Sequence, residues 1–152
     1  MNKGIAYFKI NKSYYAIESY DKAIQTNPGL SLAYFNKGMC LKELNKWLES
    51  IKCFDKSIQL QAKIGIDDYA SYINKGISFF NLGKNLEALK CFDKVIAIRP
   101  DWANGYFQKG LTLFTMKDYA EAVRNFDKAI LYNQFVDSNL FQYRNLAKKE
   151  IA

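Results

Sequence analysis

The chain contains no histidine, which removes the commonest general base, the commonest metal ligand and every Ser-His or Cys-His nucleophile pair. Catalysis would rest on carboxylates, lysine or cysteine alone. Cysteine is sparse: Cys40, Cys53 and Cys91 are odd in number and nowhere spaced C-x-x-C, so neither a disulfide framework nor a metal site of the zinc type is indicated. A reducing, cytoplasmic setting fits best. Long apolar runs are missing too. No stretch reaches the roughly 18 apolar residues of a membrane helix, and the first 20 residues lack the apolar core of a signal peptide, so neither membrane insertion nor secretion is expected. Arginine stands at 3 against 19 lysines, although arginine is the better reader of phosphates and bases.

What is present is the apolar content of a folding chain. Over 152 residues, 49 % are hydrophobic and 24 % charged, enough for one domain or one short repeat array. The net charge of +7 invites a polyanion as partner, an invitation that depends on where the charges sit.

Internal repetition sets the organisation. Asn-Lys-Gly stands at Asn2 to Gly4, Asn36 to Gly38 and Asn74 to Gly76, and Gln108-Lys109-Gly110 is the same unit with one amide exchanged. The glycines are 34, 38 and 34 residues apart. A second signature follows each glycine at a distance of 16 residues: Tyr20-Asp21-Lys22, Phe54-Asp55-Lys56, Phe92-Asp93-Lys94 and Phe126-Asp127-Lys128.

Each copy reads as two amphipathic helices. In the third, Tyr72, Gly76 and Phe79 share one helical face; after Gly83-Lys84, so do Ala88, Leu89, Phe92, Val95 and Ile96. Asn11, Asn45 and Gly83 hold the interhelix position, where a residue tolerant of left-handed backbone angles lets the chain reverse. Lys117 departs from that rule, which predicts a less regular turn. Pro28 and Pro100 end the second helices of the first and third copies.

This pattern resembles the tetratricopeptide repeat, and the resemblance covers nearly the whole chain. It rests on the small residue of the first helix (Gly4, Gly38, Gly76, Gly110) and the large one a turn later (Tyr7, Leu41, Phe79, Leu113). In the second helix it rests on the opening alanine (Ala16, Ala88, Ala122, with Ser50 the exception) and on the pairs Tyr20 with Ala23, Phe54 with Ser57, Phe92 with Val95, and Phe126 with Ala129. The resemblance implies an all-α, right-handed superhelical solenoid of helix-turn-helix repeats. The expected units are an incomplete repeat 1 over 1–30, repeat 2 over 31–68 with a four-residue insertion, repeat 3 over 69–102, repeat 4 over 103–136 and a terminal helix over 137–152. The insertion predicts a longer second helix, stopped by Gly65 and followed by a cap from Asp67 or Asp68. The last segment, where Arg144 replaces the glycine, fits either a capping helix or the edge of a longer array.

The family implies no reaction chemistry and no cofactor. Its members bind peptide segments of other proteins in a concave groove lined by first helices. In this chain that face carries Ile5 and Phe8, then Leu32, Phe35 and Met39, then Ile73, Ile77 and Phe80, then Phe107, Leu111 and Phe114. Neighbouring repeats either fill these side chains in or leave an apolar trough for a hydrophobic or amphipathic segment. Beside them run Asn2, Asn36, Asn74 and Gln108, amides able to hold the backbone of an extended peptide of about 9 residues. Some relatives clamp a C-terminal carboxylate with basic side chains, but the positions concerned hold Phe35, Ala70, Ile73 and Asn74, which argues against such a clamp.

The lysine before each glycine and the lysine of each second signature belong to the repeat itself, and read as solvated or as covering the core with their alkyl stems. Cys53 and Cys91, at equivalent positions, read as core thiols. Trp102 suits either packing at a helix entry or an exposed anchor. Apportioned over the units, the charge is +2, +1, +2, +1 and +1, a small increment everywhere with no basic block, which argues against nucleic acid. The expected function is a non-enzymatic protein-protein interaction module. The alternative is a scaffold subunit of a large assembly whose incomplete repeat ends are covered by neighbours.

Overall fold

The apolar spacing that predicts helices forms them. The computed structural model describes the backbone of residues 3–132 and 138–151, with the side chains of 12–132 and 139–151. Among the described residues there are eight α-helices and no strand: α1 (Lys3–Thr26), α2 (Ser31–Glu43), α3 (Trp47–Ala62), α4 (Tyr69–Asn81), α5 (Asn85–Ile98), α6 (Ala103–Thr115), α7 (Tyr119–Tyr132) and α8 (Ser138–Ile151). None is long and apolar enough to cross a membrane. Each packs chiefly on the helices before and after it in the chain, which makes the molecule an all-α solenoid.

Three helix pairs, α2 with α3, α4 with α5 and α6 with α7, share one internal geometry. Phe54, Phe92 and Phe126 are fully buried at 0 % exposure, each against the glycine 16 residues earlier. A Cβ on Gly38, Gly76 or Gly110 would stand 2.8, 2.5 or 2.7 Å from the ring edge of its phenylalanine. The glycine is a matter of space here, because the ring of the partner helix occupies the place of the side chain.

The three interhelix turns are also alike. Asn45 and Gly83 adopt the left-handed conformation, with φ of 57° and 72°. Lys117 does the same at 64°, so the expected irregularity is absent. In all three turns the next amide, from Lys46, Lys84 or Asp118, donates to the carbonyl five residues back, at 2.9 to 3.0 Å. Packing of the paired helices holds the turn against the preference of a residue with a Cβ, at a cost of about 1–2 kcal/mol. Lys117→Gly is therefore expected to stabilise the chain by about 0.5–1 kcal/mol after the greater chain entropy of glycine is subtracted. A melting temperature higher by about 2–4 °C per kcal/mol would register it.

Of the four inserted residues, two lengthen α3 and the rest fall in the loop that follows it. Helix α3 runs for 16 residues where α5 and α7 have 14. It ends in a turn with Gly65 at φ 73°, and Asp68 caps α4 by accepting from the amide of Ser71 at 2.9 Å. Trp102 is half-buried, edge-on to Tyr69 at 5.3 Å and packed on the cluster around Phe92, which favours the packing role. Cys53 and Cys91 are buried and unpaired. Burial raises both thiols, that of Cys91 to about 11, so they remain protonated packing groups.

A second expectation fails, at the start of the chain. The first repeat does not turn at Asn11; α1 passes through it as a single helix of 24 residues. The backbone continues its i to i−4 bonding through Asn11 instead of closing onto a partner helix. The boundary between repeat 4 and the terminal helix, with Asp137, lies outside the described residues.

Candidate functional site: the face of the first helices

Curvature decides which helices line the inside of the solenoid. The first helices α2, α4, α6 and α8 approach one another in succession, whereas the second helices α3, α5 and α7 make no such approach. The first helices therefore form the concave wall.

On this wall the structure places most of the residues expected to form a groove, but as a half-filled surface. Phe35 is half-buried and leans on Phe54, with centroids 6.0 Å apart. Met39 and Leu111 are half-buried. Ile77 and Phe80 are half-buried against the cluster of Phe92 and Val95. Ile73 is a correction: at 4 % exposure it belongs to that core and offers no open surface. Phe107 lies 6.4 Å and Phe114 6.1 Å from the ring of Tyr143 on α8, so the terminal helix shields this end of the wall. Leu32, at 60 %, is the well-exposed apolar residue of the face. Ile5 and Phe8 lie outside the described side chains, and Asn2 outside the described residues.

The amide column is partly spoken for by the protein itself. Asn74 donates through Nδ2 to the carbonyl of Ala70 at 2.8 Å, and its Oδ1 accepts from Lys42 Nζ at 2.5 Å. Gln108 donates to Asn104 Oδ1 at 3.4 Å. Asn36 is half-buried on the same wall. Lys42 and Tyr143 are the residues of this face that the sequence reading left out. Lys42 had a signal: it stands four residues after Gly38, the place that Phe80 and Phe114 hold after their glycines. Burial lowers its pKa from the usual lysine value, against the raising influence of Glu43.

The repeated lysines have a definite partner. Lys37 pairs with Asp21 at 2.5 Å, Lys75 with Asp55 at 2.5 Å and Lys109 with Asp93 at 2.7 Å. Each ties a first helix to the second helix of the preceding repeat. Arg144 of α8 continues the series on Asp127 at 2.5 Å. By alignment it stands in the glycine's place, yet it performs the lysine's task. Such half-exposed pairs contribute little energy singly; repeated at every junction they hold the helices in register, and they engage cations that a polyanion would need.

An open depression of about 480 Å³ lies where α4 meets α5, lined by Tyr72, Lys75, Lys90, Cys91, Asp93, Lys94 and Ala97. Lys75 and Asp93 are engaged in the ion pairs above, and burial raises the Cys91 thiol to about 11, which keeps it in the unreactive protonated form. Among the described residues no group of three or more histidine, cysteine, aspartate or glutamate side chains could hold a metal ion.

Comparison with known proteins agrees with the repeat geometry. One tetratricopeptide repeat model matches residues 19–52, and a second matches residues 69–101 and 103–135. The chain belongs to the tetratricopeptide repeat family. The first match begins inside α1, whose second half thus serves as the second helix of a repeat. No curated protein sequence matches the chain significantly. Among solved structures, a crystal structure of MamA superposes with a TM-score of 0.82 at 19 % identity, over 98 % of this chain and 84 % of that one. The first tetratricopeptide domain of Spaghetti (RPAP3), bound to the HSP90 peptide SRMEEVD, gives 0.74 at 16 % identity, over 80 % and 92 % of the two chains. The Sgt2 tetratricopeptide domain from Aspergillus fumigatus gives 0.72 at 15 % identity, over 80 % and 78 %. At these identities the likeness concerns the fold. Tetratricopeptide repeats serve protein-protein interaction, and this chain shares that general role.

Proposed function

We propose that the chain is a non-enzymatic interaction module that holds a hydrophobic or amphipathic segment of another protein along the concave wall of α2, α4 and α6. The observation that carries this reading is the run of half-buried apolar side chains Phe35, Met39, Ile77, Phe80 and Leu111 across three successive first helices. Such a surface is packed well enough to be preformed and open enough to lose further area on binding. Asn36 and Lys42 supply polar contacts beside it. A relative of the same fold holds a peptide, the HSP90 segment on Spaghetti, which supports this mode of use without naming the partner. The three unpaired thiols suit a cytoplasmic, reducing setting.

The test uses a fluorescein-labelled extended peptide of about 9 residues with leucine or phenylalanine at alternate positions, the length that spans about 30 Å. Phe35→Ala and Ile77→Ala are each expected to weaken its binding about tenfold, equivalent to about 1.4 kcal/mol, while circular dichroism keeps its helical signal. Absence of binding to the unmodified chain, or equal affinity in both variants, would remove the groove from the account.

A further inference from the structure

The first repeat carries the residues of both helices of a pair but builds only one helix. By sequence, Gly4 and Tyr7 hold the first-helix positions, and Ala16, Tyr20 and Ala23 the second-helix positions. In the other repeats the equivalents of these last three are sealed. Ala88 and Ala122, then Phe54, Phe92 and Phe126, then Val95 and Ala129 are all at 0 % exposure, with Ser57 at 1 %. In α1, Ala16, Tyr20 and Ala23 are only half-buried. The difference has a direct cause. With α1 straight through Asn11, α2 packs on this face from one side, but the first helix of the same repeat does not lie against its other side.

The missing helix is nevertheless part of the chain. Ser13 donates to Glu43 Oε2 at 3.2 Å, and Lys46 Nζ stands 5.1 Å from the ring centre of Tyr14. Residues 13 and 14 are thus level with the turn between α2 and α3. The backbone from Lys3 to Ser13 therefore continues past that turn by about 15 Å. A straight helix cannot fold its first half onto its second. Two copies can satisfy both halves at once, each lending its leading segment to the other's uncovered face, and the exchange closes with two-fold symmetry.

We infer that this chain self-associates as a reciprocal dimer, in which residues 3–10 of one copy take the place of a first helix against Ala16, Tyr20 and Ala23 of the other. The partner surface is thereby a second copy of the same chain, and the concave wall of α2, α4 and α6 is left free. The inference stands apart from the groove reading, since neither face contributes to the other. Asn11 becomes the element that selects between assemblies. Kept helical it extends α1 and permits exchange; in the left-handed conformation that Asn45 adopts at the equivalent place, it would return the segment to its own chain.

Light scattering coupled to size-exclusion chromatography of the full chain, through serial dilution, tests this directly. The unmodified chain is expected to run as a dimer that dissociates on dilution. Ala16→Arg and Ala23→Arg, which place a charge on the uncovered face, are expected to weaken dimerisation at least tenfold with helical content retained. Asn11→Gly, which eases the turn, shifts the population to monomer, and Asn11→Ala, which favours the straight helix, sustains the dimer to greater dilution. A monomer at every concentration overturns the inference, as does a dimer that survives both arginine substitutions or ignores both changes at Asn11.

Discussion

Phe92→Ala is expected to destabilise the chain by about 3–5 kcal/mol, the range for emptying a fully buried aromatic site. The ring is at 0 % exposure within the cluster of Ile73, Ala88 and Val95, with Tyr72, Ile77, Phe79, Phe80 and Trp102 around it. It also faces Gly76 at the distance where a side chain would otherwise stand. Because each repeat touches only its neighbours, damage in the third repeat should uncouple the pairs on either side. Urea unfolding followed by circular dichroism is expected to show a lower midpoint and a broader, stepwise transition. A loss of under about 1 kcal/mol, the size of an ordinary surface change, would mean that the site collapses freely and that the ring is not the centre of the repeat.

Gly76→Ala should also destabilise, although helix propensity alone favours alanine over glycine by up to about 1 kcal/mol. The added Cβ would meet Phe92 at 2.5, 2.9 and 2.9 Å, closer than side chains pack, and the ring has no exposed side toward which to move. Overpacking of this kind costs about 1–3 kcal/mol, which outweighs propensity. The two residues are coupled, so the cost of Gly76→Ala should fall by at least half when Phe92→Leu is already present. A double-mutant cycle in urea measures the difference. If Gly76→Ala raises stability in the unmodified chain, the close approach is not a constraint and propensity governs.

Much of this architecture is legible in particular residues. The recurrence of glycine with an aromatic 16 residues on already implies paired helices in contact, since a missing side chain and a large one are complementary. Gly65 and Asp68 announce the end of α3 and the start of α4. Lys117 is the instructive miss among the turns. Its local preference points to irregularity, yet it takes the same left-handed angle as Asn45 and Gly83, because two packed helices outweigh about 1–2 kcal/mol of backbone preference.

The site was less legible, for a related reason. A helical stripe shows which side chains share a face and is silent on what lies opposite. Ile73 and Ile77 look equivalent in the sequence, but one is core and the other borders the wall. Asn74 looks free for a ligand, but Lys42, from the preceding repeat, reaches its amide oxygen. Lys75 looks solvated, but it is paired with Asp55 of the helix before it. Each of these depends on how neighbouring repeats are rotated against one another.

The sequence by itself determined the repeat, the paired helices of repeats 2 to 4, the turns at Asn45 and Gly83 and the absence of histidine chemistry, because these follow from composition, local sterics and short-range periodicity. Only the tertiary structure decided that a lysine, or Arg144 at the last junction, pairs with an aspartate of the preceding helix, that α8 shields one end, and that α1 runs straight through Asn11. Those outcomes depend on contacts between residues distant in the chain, where the free energy of packing one helix on another exceeds the preference of any single residue.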